Sequence, residues 1–346
     1  MKWAALAVAA ATTLALLARQ ADACAGCSNP NLPTARAANT TLAEGEVSVA
    51  LNLTATTTNV VHPEACPEIG PICRQRAEPP QQHDQRFWIA ELRPIVALGL
   101  TRTLGVEAQL PVRVVGTTIQ FRRLDGTPFS PDYANIHHRD ETLFGVSDPW
   151  LLGRASGVVG DLRVTTRAGL GIPLGSTEED PFARGRGGLP HQHIQFGTGT
   201  FYPVFAVDVG LPLGRVGLGG YGQALVFVYE NGNGYRSGNR YAAGVSGDVE
   251  VVPKLRVGLA ADVLNEQPER WGGVVQQDGN VGRTDLLAGA AVSYAFGKVV
   301  TSLSFKMPVW QHFIEASDTH GKDPGQLTYP GIVNLAVQTS FGGPRS

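Results

Sequence analysis

Charged side chains recur inside stretches that are otherwise apolar: Glu91, Arg93, Glu107, Arg113, Arg163, Arg167, Asp208, Asp248, Glu250, Arg256, Asp262, Lys298 and Lys306. They stand out of step with the bulky aliphatics around them, which in a strand puts the two kinds on opposite faces. An Arg or Lys turned toward lipid at the bilayer midplane would cost about 2–4 kcal/mol. These residues are therefore expected to line an interior rather than face a membrane. Arg93, Arg113, Arg163 and Arg167 come early, and Asp208, Asp248 and Glu250 come later. Two arrangements stay open: a transverse field that orients passing solutes, or mutual pairing that fills a narrow lumen.

Four cysteines fall in two close pairs, Cys24/Cys27 and Cys66/Cys73. In an exported chain an even count reads as disulfides. The economical pairing joins Cys66 to Cys73 within one loop. Cys24-Ala-Gly-Cys27 has the spacing of a redox or metal pair, but without a second pair or a neighbouring His it reads first as a structural disulfide. All eight histidines, His62, His83, His137, His138, His191, His193, His312 and His320, fall in the expected loops. His137-His138 and His191-Gln192-His193 are the densest sources of imidazole. Polar residues collect in polar loops in any case, so no metal site and no cofactor is expected. No strand sets a His beside a Ser on one face, so no hydrolytic nucleophile is assembled and the chain is not expected to be an enzyme.

The elements that must position these groups are strands. In 285–310 the even positions carry Leu286, Ala288, Ala290, Val292, Tyr294 and Phe296, with mostly small residues between them. After Gly297 the apolar set moves to Val299, Leu303, Phe305, Met307 and Val309, with Lys298, Ser302, Ser304 and Lys306 between. A period of two over this length fits a strand that crosses a bilayer at a tilt. The same alternation runs through 104–114, 162–172 and 255–263. Twelve strands are expected, at about 45–58, 86–101, 104–120, 144–157, 160–174, 196–212, 214–229, 240–252, 254–264, 284–296, 298–310 and 332–342. The strand through Asp148 and Trp150 is less regular, and its orientation stays open. Connections alternate between one or two residues and long loops (59–85, 121–143, 175–195, 230–239, 265–283, 311–331). That sorting is what an outer-membrane barrel has, short periplasmic turns and long extracellular loops. Trp88, Trp150, Trp310, Tyr202, Tyr294 and Phe305 fall near strand ends or on the apolar face, where interfacial belts need them.

The N-terminus carries Lys2, an apolar run from Ala4 to Ala18 and Ala21-Asp22-Ala23. Residues 1–23 read as a secretory signal cut before Cys24; a retained helical anchor and a lipid-modified Cys24 are the other two readings. Residues 24–44 are expected to plug the lumen or hang in the periplasm, and 45–346 to form an all-β transmembrane antiparallel up-and-down barrel. Charged residues are only 17% of the chain and its formal charge is -2, which argues against a nucleic-acid partner. The last strand, Val333 to Phe341, looks like one read by the barrel assembly machinery, although Gly342 to Ser346 follow its aromatic.

Gly145-Val-Ser-Asp-Pro-Trp-Leu-Leu-Gly-Arg154 and Gly197-Thr-Gly-Thr-Phe-Tyr-Pro-Val-Phe205 resemble two strands of a family of Gram-negative outer-membrane barrels, the transporters of the MetA-pathway-of-phenol-degradation type. Tyr202 stands where that family more often has Asp. Cys24-Ala-Gly-Cys-Ser-Asn-Pro resembles the start of one subgroup. The resemblance implies passive passage of small, hydrophobic or aromatic molecules across the outer membrane of a Gram-negative bacterium, and it transfers no catalytic or binding residue. The expected partners are outer-membrane lipid, small-molecule solutes and the barrel assembly machinery. The competing reading is a non-conducting surface barrel whose loops bind metal ions or a partner.

Overall fold

The computed structural model describes residues 41–64, 81–131, 138–187, 189–276, 279–314 and 328–342. The expected signal, all four cysteines, His137 and His320 lie outside them. Twelve long strands follow one another: β1 (Val47–Glu64), β2 (Gln81–Gly99), β3 (Leu104–Gln109 continued by Val112–Arg123), β4 (Glu141–Val146 continued by Trp150–Val159), β5 (Leu162–Gly171) and β6 (Tyr202–Leu213). Then come β7 (Val216–Leu225), β8 (Arg240–Val252), β9 (Leu255–Glu266), β10 (Arg283–Phe296), β11 (Val299–Phe313) and β12 (Ile332–Phe341). Each pairs antiparallel with its neighbours in sequence. The sheet closes because β1 also pairs with β12, from Val47 opposite Phe341 to Thr56 opposite Ile332. Closure leaves no sheet edge exposed to hydrocarbon. The chain is an all-β transmembrane barrel and belongs in the outer membrane.

The apolar face of the alternation points outward. Phe144 is 70% exposed and Leu259 71%, and Val245, Leu303 and Leu335 share that outer face. Such a continuous greasy belt is what lipid covers. At one end the links are short, with two-residue turns at 160–161, 214–215, 253–254 and 297–298. At the other end they are long, and described parts of them pack inward or against each other. The loop after β5 carries a one-and-a-half-turn helix, α1 (Pro181–Arg186), capped by Asp180, whose carboxylate accepts from Phe182 N at 2.9 Å and Ala183 N at 3.1 Å. Ile194 of the same loop packs on Phe87, Ile89 and Val115. Tyr235–Arg236 pairs with Arg270–Trp271, tying the loop after β7 to the loop after β9.

Several expectations need correction. β1 reaches Glu64 and β2 begins at Gln81, so these strands run beyond the sequence bounds and place His62 and His83 in the sheet. His312 likewise lies in β11. The polar ends of these strands rise past the greasy belt, which is why they read as loop. In β11 a bulge at Val309 reverses the facing, so Trp310 and His312 both turn outward and stack at 5.7 Å. Trp150 and Tyr202 are not part of an outer belt; both are buried inside the barrel. β6 begins at Tyr202 rather than 196, because 196–201 belongs to the mouth.

Prolines interrupt the sheet beside that mouth. Pro94, Pro111, Pro149 and Pro203 accept from Leu110 N (3.0 Å), Ser147 N (2.8 Å), Ile172 N (2.9 Å) and Val226 N (3.1 Å). A proline returns no N–H, so each pair keeps one bond of two.

Leu259 sits on the outer face of β9. Leu259→Arg is expected to lower folding stability in liposomes by about 2–4 kcal/mol, measured by equilibrium urea titration. A change within ~0.5 kcal/mol would mean that Leu259 does not meet hydrocarbon.

Candidate functional site

The interior is built from the inward positions of the strands, and on β2 to β6 these hold a continuous polar web. Glu91 of β2 takes Arg93 Nε at 3.0 Å and Nη2 at 2.6 Å on one oxygen, and Arg113 Nη2 of β3 at 3.0 Å on the other. Arg93 also donates to Gln109 Oε1 at 3.2 Å, and Gln109 donates to Glu107 at 2.8 Å. Glu107 accepts from Arg154 Nη1 of β4 at 3.2 Å and Arg167 Nε of β5 at 3.0 Å. Arg167 then bonds Asp208 of β6. Every one of these groups is buried, Glu107 at 1% exposure. A charge withdrawn this far from water persists only when paired and hydrogen-bonded, and the web supplies each with a partner on its own strand or one nearby.

A second group lies on the other side of the barrel. Tyr221 OH of β7 donates to Asp262 Oδ1 of β9 at 2.8 Å, and Lys306 Nζ of β11 sits 2.8 Å from Asp262 Oδ2. Toward the short-turn end Arg256 pairs with Asp248 and, at 3.8 Å, with Glu250; all three are partly exposed. Arg163 has the inward parity of Thr165 and Arg167 but is exposed near that same end. Lys298 departs from the expectation. It occupies the turn between β10 and β11, exposed, because the apolar alternation of β11 begins only at Val299.

Between the web and the mouth lies a chamber of about 90 Å³. One part of its lining is aromatic and aliphatic: Trp150, Phe196, Tyr202, Leu225 and Leu264. Trp150 Nε1 donates to Tyr202 OH at 2.9 Å, Tyr202 meets Phe227 at 4.5 Å between ring centres, and Arg93 lies 4.5 Å over the Trp150 ring. The rest is ionic. Arg240 bonds Glu266 at 3.1 Å, and Arg283 stands 3.4 Å from Asp285, which also accepts from Tyr329 OH at 2.6 Å. Asp148 fastens the mouth loop to the wall, accepting from Gly175 N (3.0 Å), Thr198 N (2.8 Å) and Thr198 OH (2.7 Å). The break in β4 at 147–149 turns both Asp148 and Trp150 inward. That settles the orientation left open by the sequence, and it gives the Gly145–Arg154 stretch a structural task.

Above the chamber the loops hold buried titratable groups. His193 meets Phe182 edge-on at 4.9 Å and His191 at 5.2 Å; burial, with His191 beside it, lowers its pKa to about 3 and keeps it neutral. His83 of β2 and His138 form a second ring pair at 4.7 Å. Among the described residues no three His, Cys, Asp or Glu side chains gather in a way that could hold a metal ion. Glu269 is buried and accepts from Asn280 N at 3.2 Å; burial, reinforced by Glu266, raises its pKa to about 7.

Sequence reasoning missed Arg154, Tyr221, Arg240, Glu266, Arg283 and Asp285. Arg154 and Tyr221 do follow the inward parity of their strands. Arg240, Glu266 and Arg283 sit at strand termini, where alternation gives no second neighbour to confirm a face.

No family model matches the chain, and no curated protein matches it in sequence. Solved structures do match its shape. An outer membrane channel from Pseudomonas putida F1 superposes with a TM-score of 0.58 at 12% identity, over 89% of this chain and 100% of that one. The Ralstonia pickettii toluene transporter TbuX covers 87% of this chain and 90% of its own at 10% identity, but its TM-score of 0.36 is too loose to argue from. The first likeness shows the fold, a barrel of the outer-membrane type.

Two measurements follow. Glu107→Ala leaves Arg154 and Arg167 short of a buried partner and should cost about 3–5 kcal/mol of folding stability, read as an earlier urea midpoint; an unchanged midpoint would mean that the web is not desolvated. Glu269 binds its proton more tightly folded than unfolded, so its contribution to loop stability is greatest below about pH 4.5 and declines as pH rises toward 7. Hydrogen exchange of residues 267–276 should accordingly quicken between pH 5 and 8, after correction for intrinsic exchange, and Glu269→Gln should remove that dependence.

Proposed function

We propose that this chain is a channel for the passive passage of small solutes, among them aromatic ones, across the outer membrane. The observation that carries this reading is the chamber beneath the loops. Its aromatic side offers stacking and apolar contact, while arginines and carboxylates within the same space can meet a polar substituent. A small ring bearing a hydroxyl or carboxyl group matches both halves. Membership of the MetA-pathway-of-phenol-degradation type is part of this proposal, supported by the Gly145–Arg154 and Gly197–Phe205 resemblances. So is the lining role of the inward charges, supported by their burial and pairing.

The buried web and the inward-folded loops favour a second reading, a barrel that holds its mouth shut and uses its loops for binding. Proteoliposome uptake separates the two. With the protein reconstituted, uptake of a neutral monoaromatic such as phenol and of a small sugar should exceed that of protein-free vesicles. Trp150→Ala should slow the aromatic solute several-fold more than the sugar. Uptake no faster than in empty vesicles would reject passage, and equal slowing of both solutes would reject the chamber as the aromatic site.

A further inference from the structure

The two halves of the inner wall differ in kind. On β1 to β6 the inward side chains are large or hydrogen-bonded and buried, with Asn52, Glu91, Glu107, Arg154, Arg167 and Asp208 as one member from each strand. On β7 to β12 each strand also has a small, half-exposed inward position: Gly219, Ser246, Ala260, Ala291, Ser304 and Ala336, again one from each strand. Water therefore reaches those six positions on β7 to β12 and not the six named on β1 to β6.

Three polar side chains of this second half do not stand out across it. Tyr221, Asp262 and Lys306 sit on alternate strands, β7, β9 and β11, and a glycine lies in each gap. A Cβ on Gly244 of β8 would fall 2.4 Å from Asp262 Oδ1 and 2.5 Å from Tyr221 Cε1. A Cβ on Gly289 of β10 would fall 2.7 Å from Lys306 Cγ. The three side chains thus lie flat along the wall over two glycines and meet one another there. Asp262 and Lys306 together carry no net charge, and Arg256 with Asp248 repeats that pairing nearer the short turns.

We propose that solutes travel along the β7–β12 side of the lumen, and that the Asp262–Lys306 pair makes this track indifferent to charge and suited to small uncharged solutes. The inference rests on the channel reading and adds its route and its solute class. An ion crossing beside a compensated pair meets little net field. Removing either partner exposes the other, whose charge then attracts counter-ions to the track. The two removals must act with opposite sign.

Reversal potentials of the full protein in planar bilayers, under a tenfold KCl gradient, read this directly. Wild type should reverse close to zero. Lys306→Gln should move the reversal potential toward that of K⁺, and Asp262→Asn toward that of Cl⁻. Conductive wild type with both variants unshifted, or shifted the same way, overturns the route; the absence of any current in wild type overturns the channel reading itself. A second measurement avoids these charges. A bulky, membrane-impermeant thiol reagent should cut the current of Ser246→Cys and of Ala336→Cys by more than half, yet leave Thr165→Cys on the packed side at the level of treated wild type. Block at Thr165→Cys alone would place the track on the other wall.

Discussion

In hydrocarbon a backbone amide has no water to fall back on, so every N–H and C=O must find a partner within the protein. For a chain of strands this is met only when the last pairs with the first. The ladder between β1 and β12 is therefore the condition on which the remaining structure stands. Once the sheet is a cylinder, one face of each strand belongs to lipid and the other to an enclosed space. Each residue's position in the alternation then decides which of two solvents it meets.

The enclosed space is not uniform, and the asymmetry follows from side-chain size. Arginines and carboxylates on β2 to β6 are long enough to reach the next strand, and being buried they must do so. Their pairing holds that half together but leaves it no room for water. The Gly, Ala and Ser that hold many inward positions of β7 to β12 are too short to fill the space in this way. The same cylinder therefore has a filled half and a more open one, with Tyr221, Asp262 and Lys306 laid along the surface of the second.

Much of this was legible beforehand, for a physical reason. Two-residue periodicity is a local property, and it survives in 104–114, 162–172 and 285–310 because lipid demands it continuously. What stayed hidden depends on single-residue departures. The bulge at Val309 turns Trp310 and His312 outward, and the break at 147–149 turns Asp148 and Trp150 inward. One extra residue flips every later side chain, and no composition signal marks it. Partners were also out of reach. Arg167 meets Glu107 sixty positions away, a neighbour fixed by the stagger of strands rather than by spacing along the chain. The mouth loops escaped for a third reason: Ile194 is buried against β2 and β3, and His193 and Glu269 against their own loops, packing that alternation cannot foretell.

The row of prolines in β2, β3, β4 and β6 carries a consequence for the space beside it. At four seams around the chamber the sheet is held by one bond where two would fit, so separating neighbouring strands there breaks fewer bonds than anywhere lower down. The cylinder is stiff at its waist and compliant at its shoulder. A guest slightly too wide for the resting chamber can be admitted by a small spreading of those seams, with the sealed belt below left as it was.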